Sequence, residues 1–243
     1  HDKEGIGKVI KVVQTKGKLF IVSTPIGNLG DMTYRAVETL NNVPLIAAED
    51  TRHSRKLLSH YEIPTPLISY FEHNRFTQIP KIINHLNSGK DLAVITDAGT
   101  PGISDPAYKL IREALLHDIT IEAIPGASAS LAALVSSGLP TDRFLFEGFL
   151  PPKKGRKARI ARVENEQSTL IYYESPKRIQ RTLKNLLEGL GDRPAVVARE
   201  LTKLYEEIIR GTLSDLLTYF TKHPPKGECV ILVGKDDPNV YFK

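Results

Sequence analysis

Residues 96–106, Thr-Asp-Ala-Gly-Thr-Pro-Gly-Ile-Ser-Asp-Pro, form the stretch best suited to hold a ligand. Glycine and other small residues leave the backbone amides and carbonyls accessible to a bound molecule. Asp97 and Asp105 add a carboxylate on each side of Gly99. The pattern predicts a ligand-binding loop that includes these three residues, and the alternative is an ordinary tight turn.

A second candidate site is the pair of carboxylates Glu49 and Asp50, which follows the apolar run 45–48. A carboxylate about 20 residues beyond a glycine-containing turn can hold a ribose hydroxyl. The alternative is a helix start, in which Asp50 or Thr51 is the N-cap and Arg52 is solvated. Both interpretations stay open at the level of the sequence.

A third candidate is residues 125–130, Pro-Gly-Ala-Ser-Ala-Ser, which follow another apolar run and precede a helical pattern. Gly126 allows a sharp bend, and the residues after it present backbone amides at the beginning of a helix. Such amides bind carboxylates or phosphates. The loop is therefore a predicted anion site.

Basic residues are concentrated between Lys153 and Arg162, where six positive charges occur without an acidic residue. A charge run of this kind usually forms a solvated face. Because it adjoins two prolines, a mobile loop that contacts phosphates is the alternative. The residues assigned to that contact are Lys153, Lys154, Arg156 and Lys157. Three further arginines are assigned to phosphate because arginine stays protonated, namely Arg52, Arg178 and Arg199.

The composition limits the class of protein. The chain has 243 residues, of which 41% are hydrophobic and 25% charged, an ordinary globular balance. The single cysteine excludes an internal disulfide framework and favours a reducing cytoplasm. Seven histidines without ligand-like spacing predict no metal site, and no apolar run reaches the ~18 residues of a membrane span. The net charge of +5 permits a polyanionic partner.

The candidate sites all follow predicted strands. Up to Leu139 strands and helices alternate, which implies a mostly parallel sheet with right-handed crossovers. Short connections in the second half favour antiparallel pairing there. Its predicted elements are strands at Thr169–Tyr173, Ala195–Arg199, Glu206–Arg210 and Cys229–Val233, and helices at Lys177–Leu187 and Ser214–Thr221. The expected division is an arm at 1–17, a first lobe at 18–147, a linker at 148–157, a second lobe at 158–235 and a tail at 236–243.

Several short blocks, taken together and in order, resemble one family. They are Thr24–Asp31 (TPIGNLGD), Ala48–Arg52 (AEDTR), Asp97–Pro101 (DAGTP) with Asp105 and Pro106, Pro125–Ser128 (PGAS), Glu147–Pro151 (EGFLP), Tyr173–Pro176 (YESP) with Arg178, and Ala198–Lys203 (ARELTK). Across about residues 18–235 the chain resembles the bacterial 16S ribosomal RNA 2′-O-ribose cytidine methyltransferases, within the tetrapyrrole methylase superfamily. Residues 1–17 match nothing in the family pattern.

The resemblance implies an α/β fold of two lobes, with a mostly parallel first sheet, a mixed or antiparallel second sheet and a cleft between them. It implies that S-adenosylmethionine binds in the cleft, and that a homodimer acts on a cytidine in the decoding centre of the small ribosomal subunit. Cofactor contacts carried over from the superfamily fall at Pro25, Thr100, Ile103, Ser128, Ala129, Tyr172 and Cys229.

Methyl transfer to a ribose requires the 2′-oxygen in line with the donor and a group that takes its proton. Orientation can supply most of the acceleration, and a positioned base adds ~10²–10⁴-fold. The candidates for the base are Glu49, Asp50, Glu200 and Lys203. A carboxylate is too weak a base unless burial raises its pKa, so the sequence leaves the choice open.

Three other functions compete with this one. A nucleotide-linked dehydrogenase is loosely mimicked by Gly27 with the Glu49-Asp50 pair, but the G-x-G-x-x-G fingerprint is missing. A tetrapyrrole C-methyltransferase belongs to the same superfamily, although the basic residues favour RNA over a porphyrin. A non-catalytic RNA-binding module would bind RNA without affinity for the cofactor.

Overall fold

Short apolar runs form the strands of the first sheet. A computed structural model describes residues 15–243, so most of the predicted arm lies outside the described residues. The strands are β1 (Leu19–Val22), β2 (Ile46–Ala48), β3 (Leu67–Ser69), β4 (Leu92–Ile95) and β5 (Ile121–Ile124). They pair in parallel in the order β3-β2-β4-β1-β5. Both β2 and β4 are buried along their whole length, as expected for strands covered on both faces.

Amphipathic helices connect these strands. They are α1 (Tyr34–Asn42), α2 (Thr51–His60), α3 (Arg75–Asn87) and α4 (Ala107–Leu116). The core of the sheet contains Leu19, Leu92 and Val94 from the strands with Ile82, Leu86 and Leu110 from the helices. From β1 the chain runs to β2, and from β4 it runs to β5 on the other side. In open α/β sheets, diverging connections of this kind open a crevice at the carboxyl ends of the strands.

The loops that follow β1 and β5, and three residues of the loop that follows β4, belong to a different compact unit from the strands themselves. The first unit contains the described residues up to Val22, Tyr34–Asp97 and Pro101–Ile124. The second contains Ser23–Thr33, Ala98–Thr100 and Pro125–Lys243. Residues 148–157, expected to be a linker, therefore lie within the second unit.

The second unit contains a mixed sheet and four helices. Its elements are α5 (Ala129–Ser137), β6 (Phe144–Phe149), α6 (Arg156–Ala161), β7 (Thr169–Glu174), α7 (Ile179–Leu190), β8 (Pro194–Arg199), β9 (Glu207–Thr212), α8 (Leu213–Lys222) and β10 (Cys229–Val233). The strand order is β6-β7-β10-β8-β9. The β6–β7 pair is parallel and the other pairs are antiparallel. The prediction of a mostly parallel first sheet and a mixed second sheet is confirmed.

The two faces of the second sheet pack against different helices, because side chains alternate along a strand. Tyr172 and Cys229 lie on the face covered by α6, α7 and α8. Tyr173 and Val230 lie on the opposite face, together with Ala133 of α5. This alternation decides which side chains are available near the loops described below.

The basic segment is partly helical, and one of its cations is buried. Arg156, expected to contact phosphate, is 4% exposed. Its guanidinium donates to Asn185 Oδ1 at 2.7 Å, to the carbonyl of Pro151 at 3.2 Å and to the hydroxyl of Thr182. That hydroxyl donates in turn to the buried carboxylate of Glu174 at 2.6 Å. Arg156 therefore holds α6 against α7. The prediction that it contacts RNA phosphate is withdrawn, because its guanidinium is buried.

Arg156→Met should lower the free energy of unfolding by about 2–4 kcal/mol, because buried polar partners lose their donor. Urea denaturation followed by circular dichroism measures this. Lys157→Met is the matched control, since Lys157 is the exposed neighbour on the same helix, and it should change stability by less than about 0.5 kcal/mol. Equal effects in the two variants would contradict a structural role for Arg156.

Candidate functional site

Three strand-end loops of the second unit are joined by hydrogen bonds around Thr100. The backbones of Thr24 and Gly99 exchange two hydrogen bonds, of 3.0 and 3.1 Å. The Thr100 hydroxyl donates to the carbonyl of Ala127 at 3.1 Å. Its only proton is used there, so the Ser23 hydroxyl, 2.9 Å away, is the donor of their mutual bond. The loops after β1, β4 and β5 are thus held together as one assembly.

Glycines in these loops are required by close packing. A Cβ on Gly126 would lie 2.9 Å from Ser23 Cβ, which is closer than real side chains approach. Gly99 has φ of +83°, in the region that favours glycine, and its Cβ would lie 3.3 Å from Ile26 Cγ2. The loops therefore present backbone and small side chains, as the sequence predicted.

The beginning of α5 is organised by Ser128 and Tyr173. Ser128 is the N-cap, and its hydroxyl accepts from the amide of Leu131 at 3.5 Å. The amide of Ser130, expected to be open to an anion, donates to the Tyr173 hydroxyl at 3.1 Å. The Ser130 amide is therefore taken by Tyr173, and the candidate donors of the predicted anion site are the amides of Ala127, Ser128 and Ala129.

Two expected cofactor contacts point away from these loops. The side chains of Tyr172 and Cys229 are buried on the helix-covered face of the sheet, so only their backbone atoms are available to a ligand. Burial raises the pKa of the Cys229 thiol to about 12, which makes it unreactive. Sequence reasoning missed Tyr173, although the alternation of a strand could have identified it as the tyrosine on the loop side.

Residues 200–203 form a strained turn that carries an ion pair. Glu200 and Thr202 have left-handed φ values of 51° and 70°, uncommon for non-glycine residues and especially for a β-branched one. Lys203 Nζ lies 3.2 Å from Glu200 Oε1 and 4.0 Å from Glu228 Oε2. The Lys203 side chain lies over Gly27: a Cβ on Gly27 would come within 2.5 Å of Lys203 Cγ. The Lys203 side chain is thus positioned between the carboxylates of Glu200 and Glu228.

In the first unit, Asp50 is a structural cap. Its carboxylate accepts from the amides of Arg52 at 2.9 Å and His53 at 3.4 Å, as the N-cap of α2. These backbone hydrogen bonds lower its pKa. Its own amide donates to Asp97 Oδ1 at 3.2 Å. Asp50 is therefore the N-cap of α2, which is the helix-start interpretation of this residue.

Glu49 has a different environment from its neighbour. It is partly buried, and its carboxylate accepts from the Thr96 hydroxyl at 3.1 Å. Burial raises its pKa, and repulsion from Asp97, Asp105 and Asp50 raises it further, against the hydrogen bond from Thr96. A raised pKa makes the Glu49 carboxylate a stronger base than an ordinary glutamate.

Asp105 organises the end of the central loop. It accepts from the amide of Gly102 at 2.8 Å and from that of Ala107 at 2.9 Å, and burial raises its pKa. The carbonyl of Pro106 accepts from Tyr70 at 2.9 Å. Ile103, between these contacts, is 48% exposed.

The predicted phosphate-binding residues are spread over both units. Arg52 in the first unit and Lys153, Lys154 and Lys157 in the second are exposed. Arg178 pairs with Glu174 at 3.1 Å, and Arg199 pairs with Glu207 at 3.3 Å while donating to the carbonyl of Tyr205. The exposed lysines are therefore the more available of these cations.

The described residues contain neither a cluster of metal ligands nor a membrane-spanning helix. Within residues 15–243, no three His, Cys, Asp or Glu side chains are grouped so as to hold a metal ion. No helix over the same residues is long and apolar enough to cross a bilayer.

The parallel sheet and the mixed sheet, with backbone-lined loops at strand ends, define a two-unit α/β protein. A family model described as Tetrapyrrole (Corrin/Porphyrin) Methylases matches residues 18–217. The chain belongs to this family, which confirms the resemblance seen in its sequence blocks.

Two of the similar proteins share one name. A protein of Synechocystis sp. named ribosomal RNA small subunit methyltransferase I is 52% identical over 221 residues, covering 90% of this chain and 79% of that protein. One of the same name from Thermotoga maritima is 45% identical over 221 residues, covering 90% of this chain and 100% of that protein. The crystal structure of uroporphyrin-III-C-methyltransferase from Thermus thermophilus matches with a TM-score of 0.63 and 17% identity, over 90% of this chain and 95% of that chain. The last likeness is one of fold.

Glu49→Gln should become more stable relative to the wild type as the pH rises. The folded pKa of Glu49 lies above its ordinary value of 4.5, so its contribution to stability is present below that value and is lost as the pH rises through the folded pKa. Urea denaturation between about pH 4 and pH 8 measures the difference. Glu38→Gln, on the exposed face of α1, should show no such trend, and parallel curves for the two variants would contradict the assignment.

Proposed function

We propose that the protein is an S-adenosylmethionine-dependent methyltransferase that acts on the 2′-oxygen of a cytidine in the decoding centre of 16S ribosomal RNA. The observation that carries the RNA substrate is the likeness to proteins named ribosomal RNA small subunit methyltransferase I over nine-tenths of the chain. The cytidine and its 2′-oxygen rest on the sequence blocks. A homodimer in the cytoplasm, expected from the same resemblance and from the single cysteine, stays a prediction.

The residues of the loops fit the cofactor. The backbone amides at the start of α5 suit its carboxylate, and carboxylates such as that of Asp97 suit its ribose hydroxyls. When bound, S-adenosylmethionine supplies a methyl group on a positively charged sulfur. The residues proposed to hold it are Pro25, Asp97, Gly99, Thr100, Ile103, Asp105, Ser128 and Ala129, with only the backbone of Tyr172 and Cys229.

Glu49 is the proposed proton acceptor for the ribose 2′-hydroxyl. Among the four candidates, Asp50 is occupied as a helix cap, and Glu200 and Lys203 are paired with each other. Glu49 alone combines partial burial with a raised pKa, which is the property a carboxylate base requires. Lys203, paired with Glu200, is proposed to contact the RNA backbone.

The function is tested by following the methyl group. Purified protein incubated with small ribosomal subunits and methyl-labelled S-adenosylmethionine should yield 2′-O-methylcytidine after nuclease digestion and mass spectrometry.

Thr100→Trp should abolish binding of S-adenosylhomocysteine in calorimetry, because the hydroxyl that joins the loops is replaced by a bulky side chain. Thr218→Trp, at an exposed position of α8, is the control. In the methyl-transfer assay, label on a base, or on a porphyrin but not on RNA, would refute the proposed function.

The exposed lysines of the 153–157 segment are proposed to contact RNA phosphate. Replacing Lys153, Lys154 and Lys157 with alanine should weaken binding to small-subunit RNA and lower the log–log salt slope by roughly one unit per contact. Filter binding over a range of salt concentrations measures this, and cofactor affinity should not change. An unchanged slope would mean that the segment is a solvated face.

A further inference from the structure

The first unit carries a row of cations that the proposed function has not used. Along α2, Arg52, Arg55 and Lys56 are exposed, and Arg55 and Lys56 follow Arg52 by three and four residues, so each lies next to it on the helix surface, while Ser54 and Leu58 are buried. In the part of the chain that the structure describes, no ion pair includes Arg55 or Lys56. Asp50 at the N-cap interacts with Arg52, and the acidic residue of the segment 51–67 is Glu62, so Arg55 and Lys56 carry the positive charge of this face.

A cavity adjoins this row. It has a volume of about 230 Å³ and is lined by Arg55, Leu58, Ser59, Ile63, Pro64, Thr65, Pro66 and Leu67. This volume is far more than the ~10–15 Å³ that one water needs. Leu58 and Ile63 are buried and form an apolar part of its wall, while the Thr65 hydroxyl is already used by the carbonyl of Leu40 at 2.6 Å. Arg55 therefore belongs both to the cationic row and to the wall of the cavity.

We propose that the α2 face, defined as Arg52, Arg55, Lys56, Ser59 and the adjoining cavity, binds a single-stranded segment of the substrate RNA. The inference rests on the proposed function and adds a docking surface to it. Arginine and lysine bind phosphates, and an unstacked base of single-stranded RNA stacks on the plane of an arginine guanidinium. The cations contact the phosphates, and one base lies in the cavity against the prolines and the Arg55 guanidinium.

The cationic part is tested with Arg55→Ala/Lys56→Ala. Filter binding of small-subunit ribosomal RNA over a range of salt should show weaker binding and a log–log slope reduced by about two units. Lys81→Ala/Arg112→Ala is the matched control, because it removes two exposed cations from other helices of the same unit. Affinity for S-adenosylhomocysteine and the midpoint of thermal unfolding should be the same in both variants as in the wild type.

The cavity is tested with Ser59→Phe, which fills it without changing the charge. RNA binding should weaken by about tenfold or more, as expected for the loss of one stacked base, while the salt slope stays at the wild-type value. If Ser59→Phe binds RNA with full affinity, the proposed binding of a base in the cavity is overturned. That result would favour an acidic partner that contacts only the cations.

Two outcomes separate this inference from the proposed function. A wild type that methylates ribosomal RNA, with Arg55→Ala/Lys56→Ala binding RNA no worse than the control pair, overturns the α2 face and leaves the function standing. A wild type that transfers no methyl group to ribosomal RNA, but loses RNA binding in Arg55→Ala/Lys56→Ala, supports the α2 face and overturns the function.

Discussion

The candidate site depends on the hydroxyl of Thr100. It accepts from Ser23 and donates to Ala127, so one side chain joins three segments that leave different strands of the first sheet. Around it the chain has little room for side chains, since a Cβ on Gly126 would clash with Ser23 and the positive φ of Gly99 favours glycine. The shape of the site is thus set by hydrogen bonds between loops and by the absence of side chains, which leaves its backbone groups to contact a ligand.

Much of the fold could be predicted from the sequence, because its strongest signals are local. The alternation of short apolar runs with amphipathic segments placed β1, β2, β4 and β5 and the helices between them. The sequence did not predict β3, whose three residues, Leu67–Ser69, follow a proline-rich stretch. It also did not predict α6, a six-residue helix whose basic composition is typical of a solvated segment. Both elements depend on contacts with the rest of the fold more than on their own pattern.

The site was predicted less completely, since the roles of its side chains depend on distant neighbours. The acidic pair was identified, but only the fold separates Asp50, a helix cap, from Glu49, whose pKa is raised by burial and by carboxylates of another loop. Tyr172 was carried over from the family resemblance, and only the two faces of the second sheet show that its neighbour Tyr173 is the tyrosine that faces α5. In the basic segment, charge alone could not reveal that Arg156 faces α7.

The strand orders also determine when the protein can fold during synthesis. In the first sheet β1, the earliest strand among residues 15–243, pairs with both β4 and β5, so these two partners become available only after most of the first half has left the ribosome. In the second sheet β10, the last strand, lies between β7 and β8, and before it emerges these two strands have open edges. Exposed edges invite pairing with other chains, and long-range pairing is slow. Insertion of β10 therefore closes the inner edges of β7 and β8 and joins the two halves of the second sheet.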